Sequence, residues 1–166
     1  IVALRRTESR GLIARSELQT ALLKVSRDRL RGYFEVLEEN GIDPGDVPII
    51  GGKEDPTAVH AGLEEVFAAP DPPTAILVMS DRLALIVMDW LAERRLSVPE
   101  AVSVIGYDGV PEGMRSRPPL TTIAQPIKRI GQLAVEMITE GAGEVHREVL
   151  EAHLLVRGST APPRRS

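Results

Sequence analysis

Cysteine is absent from the chain, which excludes disulfides and thiolate metal sites outright. Aromatic residues make up only 3% of its 166 residues, so a core must be aliphatic and alanine-rich. No apolar run approaches the roughly 18 residues that a membrane-spanning helix needs, and no membrane partner is expected. An excess of one charge sign is also lacking: 20 Lys and Arg stand against 24 Asp and Glu, a formal net charge of −4. Nucleic-acid-binding surfaces usually show a clustered basic footprint, so this stretch is not expected to grip nucleic acid by itself. Ile1–Arg10 contains arginines and has no signal-peptide layout, which makes a cytoplasmic protein the expectation.

Chemical motifs are missing too. No Gly-x-Gly-x-x-Gly, P-loop or Gly-x-Ser-x-Gly pattern occurs. His60, His146 and His153 are far apart, without a carboxylate or second histidine at metal-ligand spacing. Neither a cofactor nor a metal is expected, nothing supplies a nucleophile, and an enzyme is not expected.

What the chain does contain is an alternation of helical patterns and short apolar runs. Ile1–Arg6 reads as the end of a helix and Gly11–Ala14 as a short strand. Ser26 or Asp28 caps a helix carrying Leu30, Tyr33, Phe34 and Leu37, which Asn40-Gly41 ends. Val47–Ile50 reads as a strand. Thr57 caps the next helix, with Val59, Leu63, Val66 and Phe67 on one face. Thr74–Met79 is the near-continuous apolar run of a strand buried on both faces of a parallel sheet. Ser80-Asp81 then caps a helix to about Arg95. Apolar residues surround that helix, so Leu85, Met88 and Trp90 are expected to need burial on a second face, against a partner subunit. Val102–Ile105 and Leu120–Ile123 are further strands. After Gln125-Pro126 a helix from Ile127 presents Ile130, Leu133, Ala134, Met137 and Ile138. Val149–Leu150 and Leu154–Val156 read as strands, and a disordered polar tail is expected from Thr160. The spacing predicts a parallel, doubly wound α/β sheet.

Three positions lie where ligands meet such sheets, at the carboxyl ends of strands. Asp108 either bonds its own turn, as Asp-Gly pairs do, or accepts hydrogen bonds from ligand hydroxyls or amines. Asp81 reads as a helix cap favoured by the macrodipole, while Ser80 could still face a ligand. Arg29 reads, on the residues alone, as one of three solvated arginines with Arg27 and Arg31.

Taken in order, these stretches resemble the effector-binding core of the lactose-repressor/galactose-repressor (LacI/GalR) family of bacterial transcription regulators. Arg29-Leu30-Arg31-Gly32-Tyr33 is similar to its R-x-x-G-[FY]. Pro73-Thr74-Ala75-Ile76 through Ser80-Asp81 and Ala84 is similar to P-T-A-[IL]…[SN]-D-x-x-A. Leu96–Gly113 resembles G-x-x-V-P-x-D-[IV]-S-[VI]-[IV]-G-[FY]-D-[DG]. Pro118–Pro126 and the closing Leu154–Thr160 follow suit.

The resemblance implies a periplasmic-binding-protein-like fold of two Rossmann-like subdomains with a small effector, a sugar or related metabolite, in the cleft. It implies that Asp108, Arg29, Ser80 and Gln125 contact the effector or its crossover, and that Thr57 lies where several members place a ligand-stacking aromatic. No aromatic occurs here between Asp43 and Val66. It implies a homodimer through Leu85, Met88, Asp89, Val110 and Met114, and operator DNA bound by an N-terminal helix-turn-helix domain not present in this chain. The first subdomain is expected to be largely missing: residues 1–24 as its remnant, either truncated or joined across a gap between Ser16 and Val25, residues 25–160 as the second subdomain with the crossover, and residues 161–166 as a tail. The alternative is a periplasmic-type sugar-binding protein of a transport system.

Overall fold

A computed structural model of the chain describes residues 1–4, 11–52, 56–139 and 147–163. Its elements are strand β1 (Val2–Leu4), helix α1 (Leu18–Ala21), helix α2 (Lys24–Glu39), strand β2 (Ile50–Gly52), helix α3 (Pro56–Phe67), strand β3 (Ala75–Leu77), helix α4 (Asp81–Glu93), strand β4 (Ser103–Asp108), helix α5 (Pro111–Arg115), strand β5 (Thr121–Ala124), helix α6 (Ile127–Thr139) and strand β6 (His153–Leu155).

The β-branched runs pair as parallel strands because both of their faces are covered. β3, β4 and β5 are parallel neighbours and β6 closes their edge antiparallel. β1 and β2 are also parallel. A bridge from Val2 to Val78 and a bond from the Met79 N–H to the Val2 carbonyl (3.0 Å) set β1 beside the end of β3. The strands thus run in the order β2-β1-β3-β4-β5-β6, and the order reverses between β1 and β3. Helices cover both faces. Val59 and Leu63 of α3 and Leu83, Val87 and Leu91 of α4 pack on Val78 and Val104. On the opposite face, Leu22 and Leu30 pack with Ile13 against Ala3, Ile49 and Met79. The core is aliphatic as expected, with Trp90 its largest fully buried side chain.

Several expectations are corrected. Ile1–Arg6 holds a strand in its described part, not a helix end; a four-residue apolar run carries no period that separates the two. Arg27 bonds the Gln19 and Leu22 carbonyls, which ties the start of α2 to the segment before it. α2 starts at Lys24 with no side-chain cap; Ser26 is buried and its hydroxyl has no partner among the described residues, and Asp28 pairs with Lys24. Val149 and Leu150 are not strand. Ser159 is buried and Thr160 bonds Thr121 at 3.0 Å, so the chain is held past the point where the tail was expected to begin; residues 164–166 and His146 lie outside the described residues.

The expected second buried face of α4 needs no partner subunit at two of its positions. Met88 is 6% and Trp90 1% exposed within the chain itself, because α3 and the sheet enclose them. α6 behaves in the opposite way. Only Leu133 of its apolar stripe is buried, while Ile127, Val135 and Ile138 are 60%, 61% and 80% exposed. Among the described residues nothing covers that stripe.

Candidate functional site

The reversal of strand order between β1 and β3 opens a crevice at their carboxyl ends, the place where doubly wound sheets hold ligands. Four side chains anticipated from the sequence converge there. Arg29 projects from the second turn of α2. Ser80 follows β3, Asp108 ends β4, and Gln125 follows β5. Short connections after β3, β4 and β5 place Ser80, Asp108 and Gln125 on the same rim, and the contacts of Arg29 with Met79 and Tyr107 bring it there from α2.

Their geometry centres on Asp108. Gln125 Nε2 donates to Asp108 Oδ1 at 2.7 Å, and the Gln125 N–H donates to the Asp108 carbonyl at 3.2 Å. Ser80 also flanks the Asp108 carboxylate and favours its charged form. Arg29 Nη2 stands 3.9 Å from Oδ1. The guanidinium is fixed by two other contacts: Nη1 donates to the Met79 carbonyl at 2.6 Å, and Cζ lies 3.6 Å from the centre of the Tyr107 ring. A guanidinium stacked on an aromatic face and bonded at one nitrogen has lost its conformational freedom before any ligand arrives. Asp108 keeps about a third of its side chain exposed and Arg29 about a sixth, so both still face the crevice.

Thr57 sits at the start of α3, beyond β2 on the same rim, and is exposed; residues 53–55 lie outside the described residues. Of the expected interface positions, Met114 is 63% exposed, Asp89 is exposed, and Leu85 and Val110 are half-buried.

Asp81 does not act as the expected helix cap. Its carboxylate is fully buried and accepts from the Gly109 and Val110 N–H groups and from Thr122 Oγ1. Sequence reasoning also missed Tyr107 and the Met79 carbonyl. Tyr107 was legible only as the aromatic next to Asp108; a main-chain carbonyl as partner of Arg29 leaves no signature in residue types.

Burial raises the Asp108 carboxyl above the ordinary carboxylate range. The Gln125 hydrogen bond, Arg29 and Ser80 oppose the rise, and Asp81 adds to it. A raised folded-state pKa adds stability below the unfolded value, and that stability is lost as pH climbs through the raised one. Asp108→Asn keeps the shape and removes the charge. It is expected to raise the melting midpoint at about pH 7, with the gain fading below the carboxylate range near pH 4. Thermal unfolding across that range checks it, and a lower midpoint for the variant at neutral pH would contradict it.

Residues 9–160 match the family model of the periplasmic binding protein-like domain. The chain is 32% identical over 129 residues to the HTH-type transcriptional repressor PurR of Aliivibrio salmonicida, covering 76% of this chain and 39% of the repressor. A crystal structure of a LacI-family transcriptional regulator from Corynebacterium glutamicum superposes with a TM-score of 0.79 at 32% identity, over 96% of this chain and 48% of that one. The transcriptional regulator CelR, in complex with cellobiose, superposes with a TM-score of 0.71 at 30% identity, over 95% and 46%. The chain belongs to the periplasmic-binding-protein-like family, in the form carried by LacI-family regulators. It spans about two fifths of the length of the curated repressor and just under half of each of these two solved regulators.

Proposed function

We propose that the chain is the effector-sensing part of a DNA-binding transcriptional repressor, and that its effector is a small uncharged sugar. The observation that carries this reading is the Asp108 carboxylate set beside the preorganised Arg29 guanidinium at the switch point of the sheet. A carboxylate accepts from two neighbouring hydroxyls and a guanidinium donates to them. The two charges offset each other, which favours a neutral polyol over an ion. Arg29 already covers the Tyr107 face, so hydrogen bonding rather than stacking on that ring selects the ligand. Ser80 and Gln125 orient the carboxylate, and Thr57 completes the rim from α3. The CelR–cellobiose complex supports a sugar. Relatives that are regulators support this over a transport receptor.

The full-length protein would supply the other half of the cleft and the operator-binding domain, and its first subdomain would cover the exposed stripe of α6 beyond the Gln125 crossover. It would act in the cytoplasm as a homodimer through Leu85, Asp89, Val110 and Met114, with Met88 beneath them. No helix of the described residues is long and apolar enough to cross a membrane. Effector binding would shift the population of two dimer states in proportion to its differential affinity for them. Thermal-shift measurement against a panel of mono- and disaccharides tests the reading. At a hundred times Kd a true effector stabilises by about 2.7 kcal/mol, a rise of about 5–10 °C for a chain of this size. A panel that leaves the midpoint unmoved contradicts it.

A further inference from the structure

We infer that Asp81 is a positioning residue: its buried carboxylate straps the Asp108–Val110 turn to β5, and so fixes both the cleft carboxylate and the start of α5. The inference rests on the reading of the crevice as an effector site.

Asp81 is the first residue of α4, yet its side chain serves other elements. Oδ2 accepts from the Gly109 and Val110 N–H groups, each at 2.8 Å, and Oδ1 accepts from Thr122 Oγ1 at 2.6 Å. Asp81 and Thr122 are both 0% exposed. A buried carboxylate is tolerated only when donors satisfy it, and here three donors from two other elements do so. The turn it holds does not suit its own residues. Asp108 has φ 121°, a conformation disfavoured for any residue with a Cβ, and Gly109 follows at φ 79°. A Cβ at Gly109 would lie 2.7 Å from the Ala124 Cβ, so the turn is also pressed against β5.

The strand is shaped around the strap. A Cβ at Gly106 would lie 2.1 Å from Asp81 Oδ1, so glycine there leaves the room that the carboxylate fills. One anchor therefore holds the Asp108 side of the turn and Val110, the residue from which α5 starts at Pro111. A ligand that pulls on Asp108 pulls on the same three hydrogen bonds that place α5.

Amide hydrogen exchange by NMR on the 166-residue chain tests the strap without a ligand. Gly109 and Val110 are expected to exchange slowly in the wild type and at least a hundredfold faster in Asp81→Ala. Asp81→Asn is expected to restore protection to within about tenfold, because its oxygen can face the two N–H groups while its NH2 donates to Thr122 Oγ1. Thr122→Val removes one donor of the three and is expected to give an intermediate loss; it and the asparagine variant decide the matter if the alanine variant fails to fold.

The readout that a merely structural Asp81 would not move is the titration of Asp108. The groups facing Asp108 are Arg29 from α2, Ser80 and Asp81 at the start of α4, Tyr107 on β4 and Gln125 after β5. Asp81→Asn keeps the turn and removes one negative neighbour, so the Asp108 carboxyl signal is expected to titrate at lower pH than in the wild type. Unchanged exchange in both Asp81→Ala and Thr122→Val, or an Asp108 titration unmoved in Asp81→Asn, would overturn the inference. If exchange and titration respond as stated while no sugar moves the wild-type melting midpoint, the effector reading fails and the positioning of Asp108 stands.

Discussion

Replacing Asp108 by alanine is expected to weaken binding of the effector sugar at least a hundredfold. A hydrogen bond to a charged group contributes about 1.5–3 kcal/mol, and a carboxylate at this rim can accept from two hydroxyls. Losing both amounts to about 3–6 kcal/mol, and 2.7 kcal/mol already corresponds to a hundredfold in Kd. The loss should fall on binding rather than folding, because burial pushes the Asp108 carboxyl up, so that its charge does not stabilise the fold. Alanine tolerates φ 121° poorly, so Asp108→Asn is the companion variant; it keeps the backbone preference and half of the acceptors. Titration calorimetry on all three chains measures the ratio. Binding within a few-fold of the wild type in both variants would remove Asp108 from the site.

Trp90→Ala is expected to be the most damaging single change to the fold, at about 3–5 kcal/mol and a midpoint lower by about 10 °C or more. Trp90 is 1% exposed; its ring lies 5.1 Å from that of Phe67, and the Arg94 guanidinium rests 4.0 Å from its centre. Arg94 in turn pairs with Glu64 of α3 at 2.5 Å. One indole thus joins α3, α4 and their shared surface. Its Nε1 has no hydrogen-bond partner among the described residues, so Trp90→Phe removes that donor while keeping a ring. That variant is expected to lose clearly less than the alanine one. Urea unfolding compares them. A Trp90→Ala chain as stable as the wild type would mean that Trp90 serves a partner surface instead of this core.

How much of this was legible follows from what each signal depends on. The strands at Thr74–Met79 and Val102–Ile105 were readable because doubly buried parallel strands are almost continuous apolar runs, though the second runs on to Asp108 in the fold. The parallel sheet followed from their alternation with helices. β1 was misread because four apolar residues carry no resolvable period, and its identity as a strand comes from pairing with Ile50 and Val78, far along the chain. The antiparallel direction of β6 is likewise a tertiary fact. At the rim, Asp108 was visible as a carboxylate after a strand. Arg29 was not separable from Arg27 and Arg31 by its own residues, and only family resemblance singled it out. Asp81 shows the limit most clearly. Capping is a local rule, and it lost to three donors that the fold brings in from positions 109, 110 and 122.

The exposed stripe of α6 teaches a related lesson. Its periodicity correctly announced an amphipathic helix over Ile127–Thr139. Periodicity reports that a face wants cover, not where the cover comes from. For Met88 and Trp90 it came from this chain, and for Ile127, Val135 and Ile138 the described residues do not supply it.

The most direct test of the central claim is a backbone amide shift map on isotopically labelled chain titrated with a sugar that raises its melting midpoint. The account predicts that the perturbed amides cluster at Arg29, Met79–Ser80, Tyr107–Val110 and Gln125, around the carboxyl ends of β3 and β4. A map centred instead on the opposite end of the sheet, on the depression lined by Thr74, Glu100, Ala101, Ser103 and Ala161, would contradict it.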